Sequence, residues 1–331
     1  MKKILVTGSK GYIGVHLVAL CKAHGFHVTG CDIGYFEGCE WDPYVPADVE
    51  WEKDFLSITE NELEGFDAIC HLAAISNDPM GELDENLTYL VNREGAISLA
   101  QKAKRAGVPL FLFAGSCSVY GKAGSLDLDE TASFNPVSAY ARSKVEAERE
   151  ISKLSSSSFS PVFLRNATAF GYSPMLRIDL VANNLLSCAL ATKQIRVMSD
   201  GTPWRPLVHC KDIARAFIAL IQAPRQIVHN QPINIGSNED NYQVRQIVDK
   251  VKSLVPEAEV VYTGEVGADP RNYRVSFNKL SKLLPDFKLE YSLESGLEEL
   301  YRIMREKKFS KEDFQSDKFV RLRRLKQKLQ K

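Results

Sequence analysis

Short, continuous apolar runs alternate with amphipathic stretches through the first half of the chain. Lys3–Thr7 (KILVT), Phe26–Asp32 (FHVTGCD), Asp67–Leu72 (DAICHL), Pro109–Ser116 (PLFLFAGS) and Pro161–Arg165 (PVFLR) read as strands. Tyr12–His24, Leu90–Ala106 and Ser138–Leu154 carry helical spacing, and the first two stop at Gly25 and Gly107. Apolar strands separated by helices predict an α/β fold, a doubly wound parallel sheet covered on both faces. Beyond about Gly171 the alternation loosens. Leu207–His209 and Pro232–Ile235 read as late strands, and Lys211–Gln222, Gln243–Val255, Phe277–Leu284 and Leu293–Lys307 as helices. The expected organisation is a sheet domain over 1–170, to which 207–236 return. A smaller lobe follows from 171–206 and 237–331, including the C-terminal tail. The serine run Ser155–Ser158 reads as a solvated loop, and no internal repeat is visible.

Composition narrows the class. The 331 residues are 44% hydrophobic and 25% charged, which is ordinary for a globular protein. Lys+Arg and Asp+Glu are both 42, so no whole-chain basic field awaits nucleic acid. The imbalance is local: from Arg305 onward there are 11 basic and 4 acidic residues. Phe319, Leu322, Leu325 and Leu329 recur there at helical spacing. Such a helix suits a membrane surface or an acidic partner, or simply lies against its own lobe, which is the expectation adopted. The seven cysteines form no C-x-x-C pair, and the odd number argues against a disulfide framework. No apolar stretch reaches the ~18 residues of a membrane span, and no secretory segment precedes the first strand. A cytoplasmic protein without a membrane partner is expected. The six histidines show no ligand spacing, so no metal is expected.

The chemistry begins at Gly8-Ser9-Lys10-Gly11-Tyr12-Ile13-Gly14, between the first strand and the first helix. Side chains must be absent where a phosphate approaches a helix N-terminus. Gly8 would make the turn, Gly11 would leave room for a pyrophosphate, and Gly14 would let the helix pack on the strand. Asp32 closes the second strand 18 residues after Gly14. A carboxylate there accepts hydrogen bonds from ribose hydroxyls and repels a 2′-phosphate, which points to NAD rather than NADP. Asp54-Phe55 could meet the adenine or be ordinary loop residues.

Tyr140 and Lys144 stand at i and i+4 on one predicted helix and share a face. A phenol is a weak acid near pKa ~10. A neighbouring ammonium and a cationic nicotinamide would both favour phenolate, which could then take a proton from a sugar hydroxyl. Ser116, at the C-terminal edge of its strand, faces the ligand crevice in such sheets and could orient the reacting oxygen. Ser118 could do the same or satisfy the loop backbone.

With these segments together, the chain resembles the extended short-chain dehydrogenase/reductases that act on nucleotide sugars. The resemblance also rests on His71–Ala74 (HLAA), the SCSVYG loop, Leu164–Gly171 (LRNATAFG), Asn183–Leu186 (NNLL) and Gly201–Ala216. It implies a Rossmann-type NAD-binding domain with Ser116, Tyr140 and Lys144 as catalytic residues. It implies NAD contacts at Gly8, Gly11, Tyr12, Ile13, Gly14, Asp32, Asp54, Phe55, Leu72, Ala73, Ala74, Asn92, Tyr140 and Lys144. The substrate side falls to Ser76, Ser116, Ser118, Thr168, Arg177, Asn184, Arg205 and Arg271, the last three at the sugar-nucleotide diphosphate. Two departures matter. Cys117 and Ser118 stand where the family's 4,6-dehydratases and uronate decarboxylases carry acids, while members like UDP-galactose 4-epimerase have small or hydroxylic residues. Thr168 replaces the family's usual Asn; it is shorter and carries no amide, which implies a different hold on the substrate's sugar or diphosphate. Arg177 and Asp179 could select an unusual sugar or pair with each other. The expected function is NAD-dependent epimerisation of a nucleotide-diphosphate sugar through a transient 4-keto sugar. The alternative is a nucleotide-sugar 4-dehydrogenase or ketoreductase; a 4,6-dehydratase or a non-catalytic NAD-binding sensor ranks lower. A homodimer through the helices Leu90–Ala106 and Ser138–Leu154 is implied as well.

Overall fold

Six apolar segments and one mixed one line up side by side in the computed structural model, which describes residues 1–122, 127–264 and 271–329, without the side chains of 327–329. The strands are β1 (Lys3–Thr7), β2 (His27–Asp32), β3 (Val49–Glu52), β4 (Ala68–His71), β5 (Leu110–Ser116), β6 (Ser160–Asn166), β7 (Thr168–Phe170), β8 (Gln194–Val197), β9 (Trp204–His209), β10 (Gln231–Ile235), β11 (Asn241–Gln243) and β12 (Glu259–Tyr262). Seven form one sheet in the order β10-β6-β5-β4-β1-β2-β3. All its pairings are parallel. The expected Rossmann-type doubly wound sheet is therefore present. Strand order reverses between β1 and β4, and a crevice opens beyond their C-terminal ends.

β3 is absent from the sequence expectation because VEWE is a short, half-exposed edge strand with no apolar run. β9 forms as expected but joins β7 and β11 in a separate three-stranded sheet. The helix Val181–Thr192 was not foreseen either. Its buried face mixes Leu185 and Leu186 with Asn183 and Ser187, which blurs the apolar stripe.

Helices Gly14–Ala23 and Cys210–Gln222 bury Leu17, Val18, Ile213 and Phe217 on one face of the large sheet. Helices Ala96–Arg105 and Ala139–Ser152 bury Leu99, Ala103, Ala147 and Ile151 on the other. A further apolar cluster joins Val181–Thr192, Val244–Leu254 and Leu293–Glu306.

The expected single helix Leu90–Ala106 is broken into a π-turn, Leu90–Gly95, and the helix Ala96–Arg105. Gly95 is needed at the junction: a Cβ there would lie 2.4 Å from Leu56 Cδ2. The π-turn carries Asn92 inward, where its amide bonds both the N–H and the carbonyl of Ile75, at 2.8 and 3.0 Å.

The tail departs from expectation in one respect. Phe319 does lie in the second lobe's core. Leu322 and Leu325, from the helix Arg321–Leu329, instead pack on Ile75, Met80, Leu87 and Val91, in the stretch that follows β4. Leu329's side chain lies outside the described residues. Among the described residues no helix is long and apolar enough to cross a membrane.

Candidate active site

The crevice is a cavity of about 1170 Å³ that runs across the strand ends and under the C-terminal helix. At one end is the glycine turn. Gly8 has φ +72°, and a Cβ on it would lie 2.8 Å from Ala73 N. A Cβ on Gly14 would lie 2.1 Å from the Gly8 carbonyl oxygen, so Gly14 is fixed by the turn itself rather than by packing on the strand. Asp32 stands on the wall beside it and accepts from the N–H groups of Lys10 (3.0 Å) and Gly34 (2.9 Å). Asp54 caps the turn that presents Phe55, accepting from Leu56 N at 3.0 Å, and both residues line the cavity. Tyr12 also lines it, but its hydroxyl donates to the Gly171 carbonyl at 2.6 Å and ties the turn to the segment after β7.

At the other end Ser116, Tyr140 and Lys144 meet. Ser116 is the last residue of β5 and caps the following turn, its Oγ accepting from Ser118 N at 3.1 Å. It lies close enough to the Tyr140 phenol to favour the ionised form. Ser138 starts the helix that carries Tyr140, accepting from Ala141 N at 3.1 Å. Lys144 Nζ donates to the Ala114 carbonyl at 2.9 Å and lies over the Phe113 ring.

Burial sets the electrostatics of both groups first. Burial first, and the nearby Asp78 carboxylate second, push the Tyr140 phenol up to about 12. Burial pulls Lys144 down to about 7. The ammonium donates to the Ala114 carbonyl. Arg177 and Arg271 lower the phenol, after Ser116.

The substrate-side residues divide. Ser76, Thr168, Arg177, Asn184, Arg205 and Arg271 all line the cavity. Arg177 and Asp179 pair with each other at 2.8 Å, and Arg177 also reaches Ser76 Oγ at 3.0 Å. Arg205 donates to the Arg271 carbonyl at 2.6 Å, and Arg271 pairs with Asp78 at 2.8 Å. Ser118 is different: it is buried off the cavity wall, with no hydrogen-bond partner for its Oγ among the described residues. Asn92 is also off the wall and braces Ile75 from behind. Cys117 turns its thiol down to the Arg165 carbonyl, 3.1 Å away.

A model of the NAD dependent epimerase/dehydratase family matches residues 4–236. The chain belongs to that family. Among similar proteins is the "Uncharacterized UDP-glucose epimerase YtcB" of Bacillus subtilis (strain 168), 29% identical, with 89% of this chain and 95% of that protein covered. The UDP-glucose 4-epimerase of Neisseria meningitidis serogroup C is 26% identical over 72% of this chain and 78% of its own. Of solved structures, the UDP-glucuronic acid 4-epimerase from Bacillus cereus, in complex with UDP-glucuronic acid and NAD, superposes with a TM-score of 0.78. It is 25% identical and covers 92% of this chain and 99% of its own.

This epimerase/dehydratase-family member is thus an NAD-dependent enzyme, and its residues fit the cofactor. The turn at Gly8–Gly14 is a cradle that added Cβ atoms would disrupt, and Asp32 supplies the acceptor at the end of β2. Sequence reasoning missed Asp78, Asn166 and the tail residues Leu322 and Leu325, all on the cavity wall. Asn166 carried a usable signal, since it directly follows the strand expected over Pro161–Arg165. Asp78 and the tail carried none, because their approach depends on tertiary packing.

Proposed function

We propose that the protein is a nucleotide-sugar 4-epimerase that works through a transient 4-keto sugar. The observation that carries this reading is the meeting of Ser116 and Tyr140 on a cavity wall whose neighbouring positions offer no spare acid. Cys117 faces inward to Arg165, Ser118 is off the wall, and the Asp78 carboxylate is held by Ser138 and Arg271.

In this reading Tyr140 takes the proton of the sugar's C4 hydroxyl and later returns it. Ser116 holds that oxygen toward the phenol. Bound NAD supplies the group that accepts hydride from C4 and gives it back on the opposite face, with no net redox change. Lys144 holds its place through Ala114, and the Arg205–Arg271 pair lies where a diphosphate would be met by planar guanidinium forks. Arg177 and Asp179 brace each other at the sugar end. The relatives' names specify UDP-glucose and UDP-glucuronic acid, so UDP-hexoses are the substrates to try first. A homodimer through the helices around Leu90–Arg105 and Ala139–Ser152 belongs to the same proposal.

The test is incubation with NAD⁺ and UDP-glucose, UDP-galactose or UDP-glucuronic acid, followed by nuclear magnetic resonance and cofactor absorbance. A C4 epimer without reduced cofactor supports the proposal. Stoichiometric reduced cofactor would favour the 4-dehydrogenase instead, and a 4-keto-6-deoxy sugar the 4,6-dehydratase.

A further inference from the structure

Asn166 is the last residue of β6, 8% exposed as a residue and on the cavity wall. In the parallel pairing of β5 with β6 it shares a rung with Ser116. Its Nδ2 donates to the Gly115 carbonyl at 3.2 Å. That bond fixes the amide, because turning it over would set two oxygens against each other. The other end, Oδ1, has no hydrogen-bond partner among the described residues. A buried carbonyl oxygen without a donor is rare in folded proteins and asks for one from outside the chain.

The position says which donor. A dinucleotide lies across the C-terminal ends of the strands in such sheets. Asn166 is flush with those ends, beside Gly115 and Ser116. The sugar-side residues Arg177 and Asp179 come from a loop further along the chain. An acceptor at the strand end, one strand across from Ser116, suits a planar amide N–H.

We infer that Asn166 reads the cofactor: its Oδ1 accepts a hydrogen bond from the nicotinamide carboxamide N–H and so fixes how that ring lies against Ser116 and Tyr140. The inference rests on the family's use of NAD and not on epimerisation. Its readout is dinucleotide binding, so a failed epimerase assay leaves it intact.

The experiment measures affinity by titration calorimetry for NAD⁺, for the 3-acetylpyridine analogue, in which a methyl replaces the amide NH₂, and for ADP-ribose, which lacks the ring. Wild type is compared with Asn166→Leu, and with Asn166→Ala should the larger side chain prevent folding. Wild type is expected to prefer NAD⁺ over the analogue by about tenfold. In the variants NAD⁺ affinity falls by about that factor, the preference disappears, and ADP-ribose binds as before. Equal losses for all three ligands would overturn the inference in favour of a structural role. Unchanged NAD⁺ affinity with a raised KM for the nucleotide sugar would overturn it in favour of a sugar hydroxyl. No change in either would overturn it outright.

Discussion

Lys144 Nζ, one helical turn after Tyr140, donates to the Ala114 carbonyl at 2.9 Å. The lysine is buried and drawn down to about 7, so its charge is a burden to the fold before any ligand arrives.

The sign follows from linkage. Well below pH 7 Lys144 is charged in both folded and unfolded states, and the folded state bears the full desolvation cost. Between about 7 and 10.5 the unfolded chain holds a proton that the folded chain lacks, so stability rises with pH through that window. Lys144→Met should therefore stabilise the cofactor-free protein by about 1–3 kcal/mol at pH 6, and by less at pH 9, while turnover is lost. Urea unfolding at the two pH values checks this. A variant less stable than wild type at pH 6 contradicts it.

Tyr140→Phe removes only the hydroxyl that faces Ser116. Turnover should fall by about 10³-fold. The purified variant should still carry NAD at the wild-type ratio, read from the absorbance of the released cofactor. Loss of bound NAD would mean that the residue serves binding rather than proton transfer.

The glycines of the first turn should separate. A Cβ at Gly14 meets the Gly8 carbonyl oxygen at 2.1 Å, whereas at Gly11 the nearest atom is that same oxygen at 3.1 Å, and the residue faces the cavity. Gly14→Ala is expected to lower Tm or prevent soluble expression. Gly11→Ala should keep Tm nearly unchanged while weakening NAD binding by tenfold or more. Thermal melts and a binding titration on both variants decide it.

Beneath the site, Arg165 and Glu148 form a buried pair at 2.5 Å, and Arg165 also reaches the Tyr120 hydroxyl at 2.9 Å. Glu148→Gln leaves a buried guanidinium without its counter-charge and should cost about 3–5 kcal/mol. Chemical denaturation measures that cost, and a loss under 1 kcal/mol would show that water reaches the arginine.

The tail is a wall of the site. Leu325 is buried against Ile75 and Met80, both on the cavity lining. Leu325→Asp should raise KM severalfold and leave kcat within about twofold, because the tail shapes the cavity without touching the reacting hydroxyl. Steady-state kinetics read the two separately.

Much of this was legible in the chain. The glycine turn, Asp32, Ser116 and the Tyr140/Lys144 spacing are local patterns tied to strand ends and one helix face. What escaped was set by contacts distant in sequence. Asp78 meets Arg271 from across the cleft, Leu325 finds Met80, and Gly95, at the end of the π-turn, packs where a Cβ would strike Leu56.

The central claim is that C4 is oxidised and reduced again within one binding event. A UDP-hexose deuterated at C4, converted in unlabelled water with catalytic NAD⁺, tests it most directly. The account predicts an epimeric product that keeps its deuterium at C4, with none in solvent. Product that has lost the label to water, or inversion at a carbon other than C4, would contradict it.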